Sequence, residues 1–189
     1  SLIEFSDSGG KLVIALAGAM STAQIGRSLA PAILAGRVHS ISCTGANLEE
    51  DLFLLIAGDE FETIQDWRSQ SAMDDHDLNL RGMNRVTDVC IPEDSAIRRV
   101  ESIILEIWKE RPRLPHEHLY ALLERIELGP RSENSWLLAA KRMNIPILVP
   151  GWEDSTLGNL FAAACVRGDL TPDMVRSGVH YMIDFADWY

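Results

Sequence analysis

Two stretches of the sequence decide the fold: Ser42–Asp51, SCTGANLEED, and Pro150–Asn159, PGWEDSTLGN. Each follows a run of apolar and β-branched residues and leads into an apolar run with helical spacing, which is typical of a strand-to-helix turn. In α/β folds such turns are where ligands bind. Both stretches combine small, hydroxyl-bearing and acidic residues. This combination suits a ligand that carries hydroxyl groups, cationic amines, or both.

Composition places the chain among ordinary globular proteins. Its 189 residues are 47% apolar and 24% charged, enough for one core. The net charge of −11 argues against non-specific binding to nucleic acid or to an anionic membrane, and it favours cationic ligands by long-range attraction. No apolar run approaches the roughly 20 residues of a membrane span, and the N-terminus lacks a signal-peptide pattern. Three widely spaced cysteines, Cys43, Cys90 and Cys165, fit a reducing compartment, so we expect a cytoplasmic protein.

Hydrophobic periodicity predicts strands alternating with helices along the chain. The predicted strands are 11–17, 38–43, 86–91 and 145–149. The predicted helices are 23–35, 48–57, 94–110, 115–128, 132–143, 155–166 and 171–189. Residues 58–80 read as a polar surface excursion with room for a short helix. We therefore expect a single α/β domain over residues 1–189: a doubly wound, mostly parallel sheet with helices on both faces.

The acidic residues in the two turns admit two interpretations each. Glu49 and Glu50 are predicted in the first turn of a helix, where carboxylates stabilise the positive end of the helix dipole. Alternatively, one of them bonds a ribose hydroxyl or an amine, with the Gly45 backbone close to the ligand. In the second turn, Asp154 either caps the next helix while Trp152 packs in the core, or belongs to the same ligand site.

Other polar positions carry weaker signals. The turn at 18–22 precedes a helix N-terminus and is a candidate for a phosphate, although it is not a GxGxxG motif. Asn84 is either a hydrogen-bonding group or a turn residue. His116 and His118 flank Glu117 without the spacing of a metal site, so we expect exposed side chains there and no metal.

Six segments together resemble a known family. They are LAGAMSTA (16–23), VHSISCTGANLEEDLF (38–53), GMNRVTDVCIPE (82–93), HEHLYALL (116–123), SW-LAA with NIPI (135–147) and VPGWEDSTLGN (149–159). In this order they are similar to the deoxyhypusine synthase family, and in particular to its bacterial deoxyhypusine synthase-like branch. The resemblance implies a Rossmann-like NAD-binding fold and a homotetramer with sites shared between subunits. It also implies an NAD-dependent transferase that moves the aminobutyl group of spermidine to an acceptor amine. That acceptor is a protein lysine, or putrescine in the related homospermidine synthases.

The resemblance also assigns expected roles to individual residues. The residues expected to contact NAD are Ser21, Thr22, Thr44, Gly45, Glu49, Glu50 and Asp154. Asn84 matches an asparagine that meets the polyamine. Asn159 falls where the eukaryotic enzymes carry an aspartate that pairs with a substrate amine, and an amide cannot supply a charge-assisted bond. The identity of the polyamine and of its acceptor therefore stays open.

The nucleophilic lysine of the family belongs to a Gly/Ser-rich loop ending in Trp-Gly-Lys, beyond the point matched by Tyr189. The lysines here are Lys11, Lys109 and Lys141, and none lies in such a loop. We therefore expect a chain that is incomplete on its C-terminal side, has no catalytic residue of its own and is inactive by itself. A non-catalytic partner subunit that binds NAD is the alternative. In either case Glu49, Glu50 and Asp154 are predicted to gather into one acidic pocket.

Overall fold

A computed structural model describes residues 1–128 and 130–189 as a mixed α/β fold. The strands are β1 (Val13–Leu16), β2 (Ser40–Cys43), β3 (Glu62–Thr63), β4 (Met83–Val86), β5 (Val89–Pro92) and β6 (Ile147–Leu148). The α-helices are α1 (Leu2–Asp7), α2 (Gly26–Leu34), α3 (Gly45–Ala57), α4 (Ala72–Leu80), α5 (Arg99–Trp108), α6 (Pro115–Leu123), α7 (Trp136–Met143), α8 (Thr156–Arg167) and α9 (Val179–Trp188).

The first sheet is parallel and has the strand order β1-β2-β6. Ile41 in the central strand pairs with Ile14 on one side and Ile147 on the other. Because the three strands run in the same direction, their carboxyl ends lie at one edge of the sheet. The turns that lead into α2, α3 and α8 therefore meet there, and the last two of these turns are the two opening stretches.

The second sheet is antiparallel, with the order β3-β5-β4, and it corrects one predicted strand. Residues 86–91 were expected as a single strand in the parallel sheet. Instead Val86 ends β4, Thr87 adopts a left-handed φ of 57°, and Val89 begins β5. A hairpin forms because that backbone conformation reverses the chain after Val86. The polar excursion before it holds the short helix α4, as predicted.

Several helix boundaries differ from the predicted ones. The predicted helix 94–110 begins as a π-helix, Glu93–Arg98, before it continues as α5. In the predicted helix 132–143, a 3-10 turn comes first and Ser135 is the residue that caps α7. The predicted helix 171–189 is divided by Gly178, whose φ of 55° and ψ of −108° no helix can contain. The helix α6 ends at Leu123, earlier than predicted.

The helix α3 begins three residues earlier than predicted and is buried along most of its length. Thr44 is its N-cap, because the Thr44 hydroxyl accepts a hydrogen bond of 3.2 Å from the Asn47 amide. This start places Glu49 and Glu50 beyond the first turn. The interpretation that they stabilise the N-terminus of their own helix is therefore wrong.

An aromatic cluster in the core supports the second turn. Trp152 is buried, and its ring lies 5.9 Å from Phe161 and 6.4 Å from Trp108 between centroids. Trp108 and Phe161 are 5.2 Å apart in an edge-to-face arrangement. Such pairs add to the free energy of burying the rings. Trp152 therefore packs in the core, as one interpretation of the turn requires.

The two histidines of α6 are not exposed, contrary to expectation. His118 is buried and its Nε2 lies 2.9 Å from the Met174 carbonyl oxygen, while His116 Nδ1 lies 3.0 Å from the Tyr181 hydroxyl. Burial lowers the pKa of both imidazoles to about 4. They join α6 to the C-terminal part of the chain, a tertiary contact that local sequence spacing does not encode.

Asp51, on α3, fixes the start of α7. Its carboxylate accepts hydrogen bonds from the Ser135 hydroxyl at 2.6 Å, the Leu137 amide at 3.1 Å and the Trp136 amide at 3.4 Å. Burial raises the pKa of Asp51 to about 6 against the opposing effect of these three donors. A carboxylate from another helix thus satisfies amides that an isolated helix leaves without partners.

We expect Asp51→Ala to lower the free energy of unfolding by about 3 kcal/mol, because buried donors at the start of α7 lose a charged acceptor. Urea unfolding followed by circular dichroism measures this. Asp59→Ala is the control, since Asp59 is exposed and pairs with Arg131 at the surface; its effect should stay below about 1 kcal/mol. Equal losses for the two variants would contradict the capping role of Asp51.

Candidate functional site

A cleft of about 370 Å³ lies where α3 and α8 meet the antiparallel hairpin. Its polar lining comprises Glu49, Glu50, Asn84, Glu93, Arg98, Thr156 and Asn159. Its apolar lining comprises Phe53, Val86, Ile91, Ile97 and Leu160. The cleft thus has both polar and apolar lining side chains. Such a lining suits a ligand with both charged and apolar parts.

Glu49 binds the N-terminus of α8. Its Oε1 accepts from the Thr156 amide at 2.9 Å and its Oε2 accepts from the Leu157 amide at 2.8 Å. Burial raises the pKa of Glu49, and these hydrogen bonds oppose the rise. Both carboxylate oxygens are therefore committed to holding the second turn against α3.

Glu50 has more capacity left for a ligand. Its Oε2 accepts one hydrogen bond of 3.3 Å from the Thr22 amide, and Oε1 accepts none from the residues that the structure describes. Burial is the main cause that raises the pKa of Glu50 to about 7; the Thr22 amide lowers it, and the nearby Glu49 charge raises it further. Glu50 is thus a buried acid whose charge changes near neutral pH.

The turn after β1 is fastened to α3 by Asn47, a residue that the sequence analysis missed. Asn47 Nδ2 donates to the Gly18 carbonyl oxygen at 2.7 Å and to the Thr44 hydroxyl at 2.8 Å. Asn47 also accepts from Ser21, through Oδ1 and through its carbonyl oxygen. The available signal was Thr44, a residue type favoured as a helix N-cap, with a polar side chain three residues later.

The predicted cofactor residues Ser21, Thr22 and Thr44 therefore build the turn and do not line the cleft. Ser21 is buried, and its hydroxyl also accepts from Trp136 Nε1 at 3.0 Å. Thr22 reaches the cleft indirectly, through the amide that binds Glu50.

Gly45 permits close packing of the two turns. A Cβ atom at this position would lie 2.6 Å from Ser155 Cβ and 3.0 Å from the Trp152 carbonyl oxygen. No side chain fits there without displacing the second turn. Gly45 thus allows the first turn to approach the second turn closely, whereas the sequence analysis expected it to allow a close approach to a ligand.

Asp154 is placed differently from the other predicted residues. It is exposed, its amide donates to the Gly151 carbonyl oxygen at 3.0 Å, and Ser155 is the cap of α8. The interpretation that Asp154 caps the helix is wrong. Within the described part of the chain, Asp154 is not among the residues that line the cleft. Glu49 and Glu50 come together there without Asp154, so the predicted pocket of three acids forms only in part.

Asn84 and Asn159 do line the cleft, from β4 and from α8 respectively. Asn84 Nδ2 donates to Glu93 Oε2 at 2.6 Å, and Glu93 Oε1 lies 2.6 Å from Arg98 Nη2. The sequence analysis missed both Glu93 and Arg98. The sequence pattern that could have indicated them is an acidic residue directly after the strand that ends at Pro92, followed five residues later by an arginine.

A second cavity, of about 320 Å³, lies between α2, α3 and the start of α7. Two of its polar lining residues, Asp51 and Ser135, already bond one another, and Arg131 pairs with Asp59. The first cleft is the better candidate site, because it lies beside the carboxyl ends of the parallel strands and brings Glu49, Glu50, Asn84 and Asn159 together.

Residues 1–128 and 130–189 contain no cluster of three or more His, Cys, Asp or Glu side chains suited to a metal ion. None of their helices combines the length and apolar character that crossing a membrane requires.

Known proteins share this fold and sequence pattern. A deoxyhypusine synthase-like protein of Cyanothece is 30% identical over 165 residues, which is 82% of this chain and 39% of that protein. The deoxyhypusine synthase of Arabidopsis thaliana is 28% identical over 128 residues, 65% of this chain and 33% of the enzyme. A crystal structure of a candidate deoxyhypusine synthase from Entamoeba histolytica superposes with a TM-score of 0.58 at 13% identity, over 94% of this chain and 52% of the other. That structure supports the fold.

The chain thus spans well under half the length of these two sequence relatives. The family model for deoxyhypusine synthase matches residues 4–183, which is nearly the whole chain. The resemblance that the turn motifs suggest is confirmed: the chain belongs to the deoxyhypusine synthase family.

Proposed function

We propose that the chain forms the NAD-contacting part of a transferase that moves the aminobutyl group of spermidine to an acceptor amine, such as a protein lysine. One observation carries the proposal. Glu49, Glu50, Asn84 and Asn159 line a single cleft beside the carboxyl ends of the parallel strands, where α/β folds bind ligands. We also propose that residues 1–189 belong to one doubly wound, Rossmann-like domain, and that the protein is a cytoplasmic homotetramer.

The residues of the cleft fit a dinucleotide and a polyamine. Glu50, with Oε1 open and Oε2 bound by the Thr22 amide, is suited to accept ribose hydroxyls. When bound, NAD supplies a site that takes up a hydride and later returns it. Phe53, Ile91 and Ile97 provide apolar walls that exclude water and match the methylene groups of a polyamine.

The lysines favour a second candidate function. Lys109 pairs with Glu106 and Lys141 with Glu124, and none of the three lysines lines the cleft. An imine-forming lysine needs a lowered pKa in a sheltered pocket. The chain on its own therefore fits a non-catalytic NAD-binding subunit whose nucleophile comes from elsewhere. Because Asn159 brings an amide and no charge, putrescine is retained as an alternative acceptor.

The proposal predicts NAD binding that depends on Glu50. Isothermal titration calorimetry should give an affinity for NAD that falls about tenfold in Glu50→Gln, because a carboxylate acceptor is replaced by an amide. Glu101→Gln is the control, since Glu101 lies outside the lining of the cleft. If the unmodified chain and Glu50→Gln bind NAD equally, Glu50 has no part in the site.

The same titration should depend on pH. Bound hydroxyl donors favour the carboxylate form, so the pKa of Glu50 is lower in the complex than its value of about 7 in the free chain. The affinity for NAD should therefore rise with pH up to about 7 and level off above it. Glu50→Gln should remove this dependence, and Glu101→Gln should retain it. A rise that persists in Glu50→Gln would assign the titration to another group.

Transfer activity separates the candidate functions. With NAD and labelled spermidine, we expect the 189-residue chain to pass no label to putrescine or to a lysine-bearing acceptor protein, because no lysine lines the cleft. Label on either acceptor would contradict the non-catalytic assignment, and it would identify the acceptor directly.

A further inference from the structure

We propose that Glu93 is the carboxylate that binds an ammonium group in the cleft, and that Arg98 restricts this end of the cleft to a single ammonium. The inference rests on the proposed function, because it concerns the amine ligand of the same cleft.

Glu93 is held in place from three sides. Its amide donates to the Gly82 carbonyl oxygen at 2.7 Å, which fixes the backbone against the hairpin. Asn84 Nδ2 holds Oε2 and Arg98 holds Oε1, each at 2.6 Å. In the π-helix Glu93–Arg98, hydrogen bonding relates residues five apart, so the first and last residues come to the same side. The carboxylate is thus oriented before any ligand arrives.

The other groups of the cleft are poorly suited to an ammonium ion. Both oxygens of Glu49 are bound by the amides of Thr156 and Leu157. Glu50 loses its charge near neutral pH, because burial raises its pKa to about 7. Asn159 offers only an amide. Among the described residues that line the cleft, Glu93 is the carboxylate that remains.

Glu93 retains the capacity to bind a further donor. A carboxylate has about four lone-pair positions, and the described partners of Glu93 occupy one on each oxygen. Its side chain keeps 26% of its surface exposed, so a ligand in the cleft can reach it. A primary ammonium, with three donors, can occupy a free position without displacing Arg98.

Arg98 determines which amines fit. Its guanidinium also donates to Glu101 Oε2 at 2.6 Å and stays charged at all relevant pH values. A second ammonium group close to Glu93 would be repelled by the positive charge of Arg98. The neighbouring wall of Ile91 and Ile97 is apolar. The cleft therefore fits an amine whose terminal ammonium is followed by a methylene chain.

Glu93 also lies in the first turn of a helical segment, where a carboxylate stabilises the helix without binding anything. Glu101 separates the two roles. It pairs with the same Arg98, its side chain is similarly exposed at 20%, and it is not part of the cleft lining. A variant at Glu101 thus weakens the same ion network without altering the ammonium site.

The test is calorimetric titration of the 189-residue chain with spermidine and with putrescine, with unfolding curves recorded for every variant. Glu93→Gln should lower the affinity about tenfold, and Glu101→Gln should change it less than about threefold. Arg98→Met should raise the affinity, because a competing positive charge is removed. Added salt should weaken amine binding to the unmodified chain more than to Glu93→Gln.

Three results would overturn the inference, and the first two differ in what else they overturn. If Glu93→Gln and Glu101→Gln bind spermidine equally well, Glu93 is not the ammonium site, while the proposed function stands. If the unmodified chain binds NAD but neither amine, the polyamine part of the proposed function fails together with the inference. A Glu93→Gln variant that unfolds is replaced by Arg98→Met, whose unchanged or reduced amine affinity would also refute the inference.

Discussion

Three consecutive carboxylates on one buried helix organise the ligand side of this molecule. Burial of a charged carboxylate is costly unless donors compensate it. Successive residues on an α-helix point about 100° apart, so Glu49, Glu50 and Asp51 face three different neighbours. Glu49 accepts from the start of α8, Glu50 from the turn after β1, and Asp51 from the start of α7. Each desolvation cost is thus offset by backbone amides that would otherwise lack partners.

This arrangement divides the acidic residues by role. Glu49 and Asp51 use both oxygens for backbone or hydroxyl donors and hold helices in position, whereas Glu50, which lines the cleft, accepts on one oxygen only among the described residues. The same constraint accounts for Gly45. Because Glu49 of α3 binds the start of α8, the turns that precede these two helices are in contact. Only a residue without a Cβ leaves room there for Ser155. Site geometry and stability therefore depend on the same contacts.

Sequence patterns predicted a large part of this arrangement. The runs 38–43 and 145–149 led to β2 and β6, and the polar turns after them predicted a pocket of Glu49, Glu50 and Asp154. Glu49 and Glu50 do line one cleft, and Asp154 does not. Boundaries were less predictable. Thr44 starts α3 earlier than the apolar spacing indicates, because a side-chain cap is a local hydrogen bond and periodicity does not register it. Thr87 converts one apolar run into a hairpin for a similar reason: a single backbone angle outweighs the pattern.

The sequence by itself determined the α/β class, the position of the strand-to-helix turns and the family, because hydrophobic period and turn chemistry are written locally along the chain. Only the tertiary structure decided the role of each acidic residue. Asp154 and Glu50 look alike as turn carboxylates, yet one is exposed and the other is buried beside Thr22. Glu93 and Arg98 became part of the cleft only when the hairpin packed beside α3 and α8. Partners distant in sequence set the solvation and bonding of each charge, and a linear pattern carries no information about them.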